Sequence, residues 1–348
     1  MFFVRDIKGL TGLRGYAALM VCLHHYNYRK SGTLFYDIVA KGDWGVIVFF
    51  VLSGFVLAYV YQDWFKSGLQ KSDFIHFMRL RLARVYPLHL VMLILWGLLI
   101  LYGRIAITEN DTLYTFFLNL TLTHAWGFTP TLSWNLPSWS ISSELFCYLL
   151  FPLLIVLVRN KPIYLLLFVM VVLLIEPFYH PYAYMVKFFM DAMHLNFVVH
   201  QFEYGVSLVD WFCTFAFGVV SFCLFDRRTL GGVLPEVLFL CGVGIFIYIY
   251  SINLSDNDVI RVIITFASAL IIAAVFYDSR LAAVILGNPL AVFLGFVSYA
   301  LYLSHIILKQ VMSLSWPMWA YVSSALLVAT FIHYFFEKPC RNWLRSLK

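Results

Sequence analysis

Arg14 and His25 stand eleven residues apart in the run GLTGLRGYAALMVCLHHYNY. At 100° per residue that spacing is three helical turns plus about 20°, so a guanidinium and an imidazole share one face, about 16 Å apart along the axis. His24 points about 80° away from them. Ionisable groups within an apolar helix face a bundle interior or a cavity. An imidazole titrates near neutrality and can take a proton from an attacking hydroxyl. The competing reading is that both are interfacial anchors, Arg14 snorkelling toward one face of a membrane and His25 toward the other. Gly12, Gly15, Ala17 and Ala18 predict a helix approached closely by a neighbour.

Three further groups carry chemistry. In FMRLRLARVYPLH, Arg81 and Arg84 are spaced i, i+3 and share a helix face, with Arg79 on another side. Two forked donors there can grip phosphate oxygens bidentately, or form a basic cluster beside anionic lipid. In NLPSWSISSELF, Glu144 falls about one turn into an apolar run and calls for a partner. His25 at the same level is one partner; the first-turn role of an acid near capping Ser138, Ser140 and Ser142 is the other. Trp134 and Trp139 suit an interfacial aromatic belt. In FLGFVSYALYLSHIIL, Ser298, Tyr302 and His305 form a stripe that lines a cavity or ties helices together. Gly45, Ser53 and Gly54 in WGVIVFFVLSGFVLAYVY point to close helix packing. His180, Asp191, His194, His200 and Glu203 lack the spacing of a metal site, so no metal is expected.

The elements that position these residues follow from composition. Of 348 residues, 62% are hydrophobic and 12% charged, with 34 Phe. Soluble proteins carry about 25% charge, so this surface cannot be covered in water and the solvent is lipid. A cytosolic enzyme, a disordered chain, a coiled coil, a disulfide scaffold and a nucleic-acid binder are excluded. Cys22, Cys147, Cys213, Cys223, Cys241 and Cys340 form no CxxC pair and read as small buried hydrophobes.

Crossing a hydrocarbon core takes about 20 apolar residues. The predicted fold is an all-α polytopic membrane bundle of about ten spans, near 10–27, 44–62, 85–103, 139–158, 162–178, 206–225, 233–251, 259–277, 291–311 and 317–336. The stretch 113–127 is short and interrupted by Asn119, Thr121, Thr123 and His124. Counting it as a span would put Arg159, Lys161, Arg227, Arg228 and the basic tail outside, against the positive-inside tendency. It is therefore expected as a short re-entrant or surface helix, with both termini cytoplasmic. No soluble appendage is expected: residues 1–348 read as one transmembrane domain.

The chain resembles the family 3 integral-membrane acyltransferases, which O-acylate cell-envelope polysaccharides and related glycans. The matching elements run in the family's order: LTGLRGYAALMVCLHH, WGVIVFFVLSGF, RLARVYPL, LPSWSISSELFCYLLFP, LGFVSYALYLSH and FFEKP. The resemblance places the family's Arg and His on Arg14 and His25, its RxxR pair on Arg81 and Arg84, and its W-S-x-S-x-E element on Trp139, Ser140, Ser142 and Glu144. Thr11 replaces an acid frequent before Gly-Leu-Arg, and Ile-Ser-Ser replaces the usual Leu-Ser-Val. Many relatives add an extracytoplasmic esterase-like domain that this chain lacks, so transfer is expected to finish within the bundle or at its outer mouth.

The resemblance implies a cytoplasmic acyl-CoA donor, most often acetyl-CoA, an acceptor hydroxyl on a cell-surface or lipid-linked glycan, and a bacterial inner membrane. On that basis Arg81 and Arg84 hold the phosphates of CoA. Arg14 guides the donor or orients the acyl carbonyl, His25 is the general base, and Glu144 fixes its tautomer. Tyr302 or a serine of 138–143 supplies the oxyanion donor. Membrane lipid is the other partner. A transporter of a small solute or a lipid-linked glycan is the alternative, although no symmetry between the halves supports it. A sensor or scaffold whose polar groups only lock helices is a third class.

Overall fold

The computed structural model describes residues 7–26, 39–65, 68–129, 131–160, 163–172, 208–225, 231–252, 257–312 and 316–346. The regular elements among them are helical, without strands. In chain order they are α1 (Lys8–His25), α2 (Trp44–Tyr61), α3 (Lys71–Leu101), α4 (Leu113–Leu120), a 3₁₀ turn (Leu136–Ser138) and α5 (Trp139–Asn160). There follow α6 (Ile163–Val172), α7 (Leu208–Phe225), α8 (Leu234–Ser251), α9 (Asn257–Phe276) and α10 (Arg280–Leu286). The last are α11 (Pro289–Val311), α12 (Met318–Ile332), a π turn (His333–Glu337) and α13 (Lys338–Ser346).

Eight helical stretches among the described residues are long and apolar enough to cross a membrane. They are α2, α3, α5 with its 3₁₀ turn, α7, α8, α9, α11, and α12 continued through α13. The protein is an integral-membrane helix bundle. α1 has 18 residues and reaches about 27 Å; Lys8, Arg14, His24 and His25 dilute its apolar character. The span expected at 162–178 is described only over α6. The segment 179–205 lies outside the described residues.

The described helices gather into two compact units. Unit 1 comprises residues up to Asp73, Phe151–Leu174 and Cys213–Tyr299. There α1 packs on α2 and α10, and α9 on α8 and α2. The small residues of α1 do what their size allows. A Cβ on Gly12 would come within 1.8 Å of the Leu286 carbonyl oxygen, and one on Gly295 within 2.0 Å of the Thr11 oxygen. Backbone therefore meets backbone where α1 crosses the start of α11. The glycine of LSGF repeats the device: a Cβ on Gly54 would meet the Phe215 oxygen at 2.0 Å, and one on Gly218 the Val51 oxygen at 2.1 Å. Phe55, Tyr59, Phe222 and Phe276 pack edge to face around the same crossing. Cys22, Cys213 and Cys223 are buried as expected, but Cys241 is exposed and Cys340 half-buried. Cys241 lies on α8, most of whose surface, including Leu240 and Ile247, faces outward; a thiol is apolar enough for lipid there.

Unit 2 comprises Phe74–Leu150, Ile175–Phe212 and residues from Ala300 onward. α3 has 31 residues and runs about 46 Å, half as long again as a hydrocarbon core. The sequence RLRLARVY, expected as the approach to the third span, is helix throughout. Arg, Leu and Ala are good helix formers, and the charges do not interrupt the hydrogen-bond ladder. α4 has 8 residues, about 12 Å, and cannot cross. It starts in a reciprocal Thr112–Thr115 cap. Its C-terminal end docks on the middle of α3: the Tyr86 hydroxyl donates to the Leu120 carbonyl at 3.0 Å, and His89 Nε2 donates to the Asn119 backbone carbonyl at 2.8 Å. α3 continues twelve residues beyond His89, so the segment 105–138 folds back along it. The helix is short, as expected at 113–127. Leu122 and Trp134 both adopt φ of 57°, a costly conformation for bulky residues. The Trp134 N–H donates to Asp111 Oδ1 at 2.6 Å, and its indole N–H to Thr115 Oγ1 at 3.1 Å, which holds the turn.

Candidate functional site

In unit 1 the residues of interest sit on α1. Arg14 Nη2 donates to the Gly295 carbonyl at 2.7 Å, so the guanidinium turns toward α11 and is half-buried. This contact needs the close crossing that the glycines allow. His25 Nδ1 lies 2.9 Å from the Val21 carbonyl oxygen. A carbonyl only accepts, so Nδ1 carries the hydrogen and Nε2 is the basic nitrogen of the neutral ring. His24 contacts His25 edge to face, with ring centroids 5.1 Å apart. Beside it stand exposed Asp43 and the Lys41–Trp44–Tyr250 group, in which the ammonium lies over both rings. Although its surface is accessible, crowding by the surrounding chain desolvates the Asp43 carboxyl and raises it above its usual range, and the charge of His24 opposes that rise.

In unit 2, Glu144 finds a partner four residues along its own helix. Its carboxylate is hydrogen-bonded to the Tyr148 phenol, and the Arg81 and Arg84 guanidinium groups act on the same phenol. Tyr148 is buried, and Phe77, one turn before Arg81, packs against its ring. The two arginines are not in a surface loop: they are the eleventh and fourteenth residues of α3, and Arg81 is buried. The i, i+3 face predicted for them therefore meets α5. Sequence reading placed Glu144 and the arginines at opposite membrane faces; within unit 2 they converge on one phenol. Tyr148 itself was missed. The only signal for it is its i, i+4 spacing from Glu144.

The serines of WSISSE tie unit 2 together without capping α5. The Ser140 hydroxyl is 2.8 Å from the Tyr302 hydroxyl and donates to the Pro137 carbonyl at 3.1 Å. Glu144 also acts electrostatically on Tyr302. Ser142 donates to the Leu122 carbonyl at 2.7 Å and accepts from the Ala125 N–H at 3.1 Å. Trp139 packs on Trp211, centroids 5.1 Å apart. Along the C-terminal stripe, Ser298 bonds the Gly295 carbonyl in unit 1. In unit 2, His305 is fully buried with Nδ1 3.2 Å from the Leu301 carbonyl, and Tyr321 donates to the His305 carbonyl. These side-chain bonds of Ser298 and His305 go to carbonyls of their own helix, and that of Tyr302 reaches across to Ser140.

His124 was treated in the sequence only as an interruption, yet it lies at the centre of the folded-back segment. Its Nε2 is 3.1 Å from Ser138 Oγ, whose single proton goes to the Asn135 carbonyl at 2.7 Å. The imidazole is therefore the donor, and the pair is a tie and not a base with its nucleophile. The His89 ring stacks on it at 6.3 Å. Burial, helped by the neighbouring His89, brings the His124 imidazole down to about 3. An unfolded histidine titrates near 6.5. Between those values the unfolded chain binds a proton that the folded chain refuses, so stability is intact above about pH 6.5 and declines below it. Going from pH 6.5 to 5 is expected to cost about 2 kcal/mol through this group, at about 1.4 kcal/mol per unit. Unfolding in detergent across that range measures it, and His124→Gln should flatten the slope; an unaltered slope would discard the assignment.

A family model described as an acyltransferase domain matches residues 7–337. Among curated proteins, the chain is 36% identical over 166 residues to the acyltransferase MdmB of Streptomyces mycarofaciens, covering 45% of this chain and 41% of that protein. It is 28% identical over 177 residues to the O-acetyltransferase OatA of Staphylococcus aureus, covering 47% of this chain and 27% of that protein. It is 37% identical over 86 residues to protein 2 in the picA locus of Rhizobium radiobacter, covering 25% and 41%. The aligned parts thus span less than half of each of these relatives. No solved structure matches.

Proposed function

We propose that this chain, which belongs to the family 3 integral-membrane acyltransferases, is a membrane O-acyltransferase that moves an acetyl group from cytoplasmic acetyl-CoA to a hydroxyl of a cell-surface or lipid-linked glycan. The name of the OatA relative supports the acetyl group, and the donor and acceptor follow the family's chemistry. The observation that carries the reading is on α1: His25 is held through Nδ1 with Nε2 as its base, on the helix that also bears Arg14.

In the proposed step the acceptor oxygen attacks the thioester carbonyl while His25 Nε2 takes the hydroxyl proton. The tetrahedral oxyanion collapses, the C–S bond breaks, and the CoA thiolate leaves and recovers the proton from His25. Arg81 and Arg84 hold donor phosphates, and Arg14 orients the donor. Glu144 acts through Tyr148, keeping that phenol between the carboxylate and the arginines. Tyr302, whose proton goes to Ser140 while Ser140 donates to the Pro137 carbonyl, serves as oxyanion donor by turning its hydroxyl from Ser140 to the developing charge. Direct transfer requires no further nucleophile. The bacterial inner membrane, with both termini cytoplasmic, is the proposed location.

Mass analysis of surface glycans from cells with and without the protein tests this directly. The expected difference is one acetyl mass per modified sugar, and its position names the acceptor. Identical glycans, together with no thermal stabilisation of the purified protein by acetyl-CoA, would defeat the proposal; a transporter of an unrelated solute or a scaffold predicts that result.

A further inference from the structure

The FFEKP motif at residues 335–339 has no part in the scheme above. Its surroundings within unit 2 supply one. Between α12 and α13 the helix widens into a π turn over His333–Glu337. Such turns recur at functional sites, where the extra residue re-aims the side chains around it. His333 and Glu337 are both 5% exposed, and His333 Nδ1 lies 2.8 Å from Glu337 Oε2. The other carboxylate oxygen, Oε1, accepts from Arg341 Nη1 at 3.3 Å. The buried Arg341 Nε has no hydrogen-bond partner among the described residues. Arg341 is within electrostatic range of Arg84, and Arg84 acts with Arg81 on the Tyr148 phenol.

Three guanidinium groups thus belong to one neighbourhood. Two of them, Arg84 and Arg341, repel each other. Glu337 offsets one of these charges and divides its oxygens between Arg341 and His333. A buried carboxylate that braces an arginine from one side, leaving a donor N–H and a second arginine beside it, makes a rigid receptor for a multiply charged anion. We propose that Arg341 is a third phosphate-binding residue of the donor site, aimed by the buried His333–Glu337 pair, and that its ligand is the phosphorylated nucleotide end of a CoA thioester. This rests on the reading of acyl-CoA as donor. Glu337 and His333 are positioning residues: they act through Arg341 and do not touch the nucleotide.

The test uses the full-length protein purified in detergent, with acetyl-CoA as ligand and adenosine 3′,5′-bisphosphate as a probe of the phosphates alone. Arg341→Ala is expected to weaken both by about tenfold or more, the loss of a charge-assisted contact. The rate at saturating acetyl-CoA should be little changed. Arg341→Lys, which keeps the charge but not the fork, should recover part of the affinity. Glu337→Gln should weaken both ligands by a smaller factor and leave the acceptor KM unaltered. Wild-type binding combined with unchanged affinity in Arg341→Ala or Arg341→Lys overturns this assignment alone. So does a fall in the thermal midpoint of the ligand-free variants without any change in donor affinity. Failure of the wild-type protein to bind acetyl-CoA overturns the donor reading and this assignment with it.

Discussion

His25→Ala is expected to lower acyl transfer by about 10²–10⁴-fold, the usual contribution of a positioned general base. The His25 ring is half-buried near the end of α1, and its Nδ1 bond is to its own helix backbone. The thermal midpoint of the variant, measured alongside activity, separates a loss of chemistry from a loss of fold. His25→Gln can still donate to the Val21 carbonyl but offers no basic nitrogen, and should be as inactive as the alanine variant. The measurement is acetyl-CoA turnover with a glycan acceptor, normalised to protein in the membrane. Full activity in a normally expressed His25→Ala protein would falsify the base assignment.

The double replacement Arg81→Ala with Arg84→Ala should raise the KM for acyl-CoA by about 100-fold or more. Each hydrogen bond to a charged group is worth about 1.5–3 kcal/mol, and two are removed. The rate at saturating donor should fall far less, because uniform binding is lost and not transition-state binding. Lysine at both positions should recover only part, since an ammonium cannot present the fork. Arg81 is buried, so the doubly truncated protein also leaves the Tyr148–Glu144 pair without its cations. Comparison with Tyr148→Phe separates that effect from donor binding. An unaltered KM in the double variant would remove the phosphate clamp from the scheme.

The fold was legible wherever local pattern decides it. The apolar runs mark the helices, and the small residues at Gly12, Gly15 and Gly54 mark two crossings that the structure draws at backbone contact. The eleven-residue spacing of Arg14 and His25 needed only helical geometry, as did the shared face of Arg81 and Arg84. The extent of α3 was not legible, because hydropathy sees the apolar stretch and not the charged turns that extend it. The Tyr148 contribution to the Glu144 surroundings was not read from the sequence. Its depth in a span drew attention to distant partners, and the phenol it acts on four residues along the same helix was passed over. The His124–Ser138 and Ser140–Tyr302 ties join residues 14 and 162 positions apart, and no periodicity connects such partners. The Glu337–Arg341 bond was within reach at i, i+4, but the π turn that buries its carboxylate has no signature in composition.

The length of α3 has a mechanical meaning. One rod bears Arg81 and Arg84 and, at Tyr86 and His89, the moorings of the folded-back segment. From Arg84 to His89 is about 7.5 Å along the axis. Pro87 stands between them and cannot bond the Ala83 carbonyl, so any flexing of the rod is concentrated there. Movement of the arginines and of the moorings therefore meets at a single joint, and under the proposed donor site that joint lies between the phosphate-binding residues and the 105–138 segment.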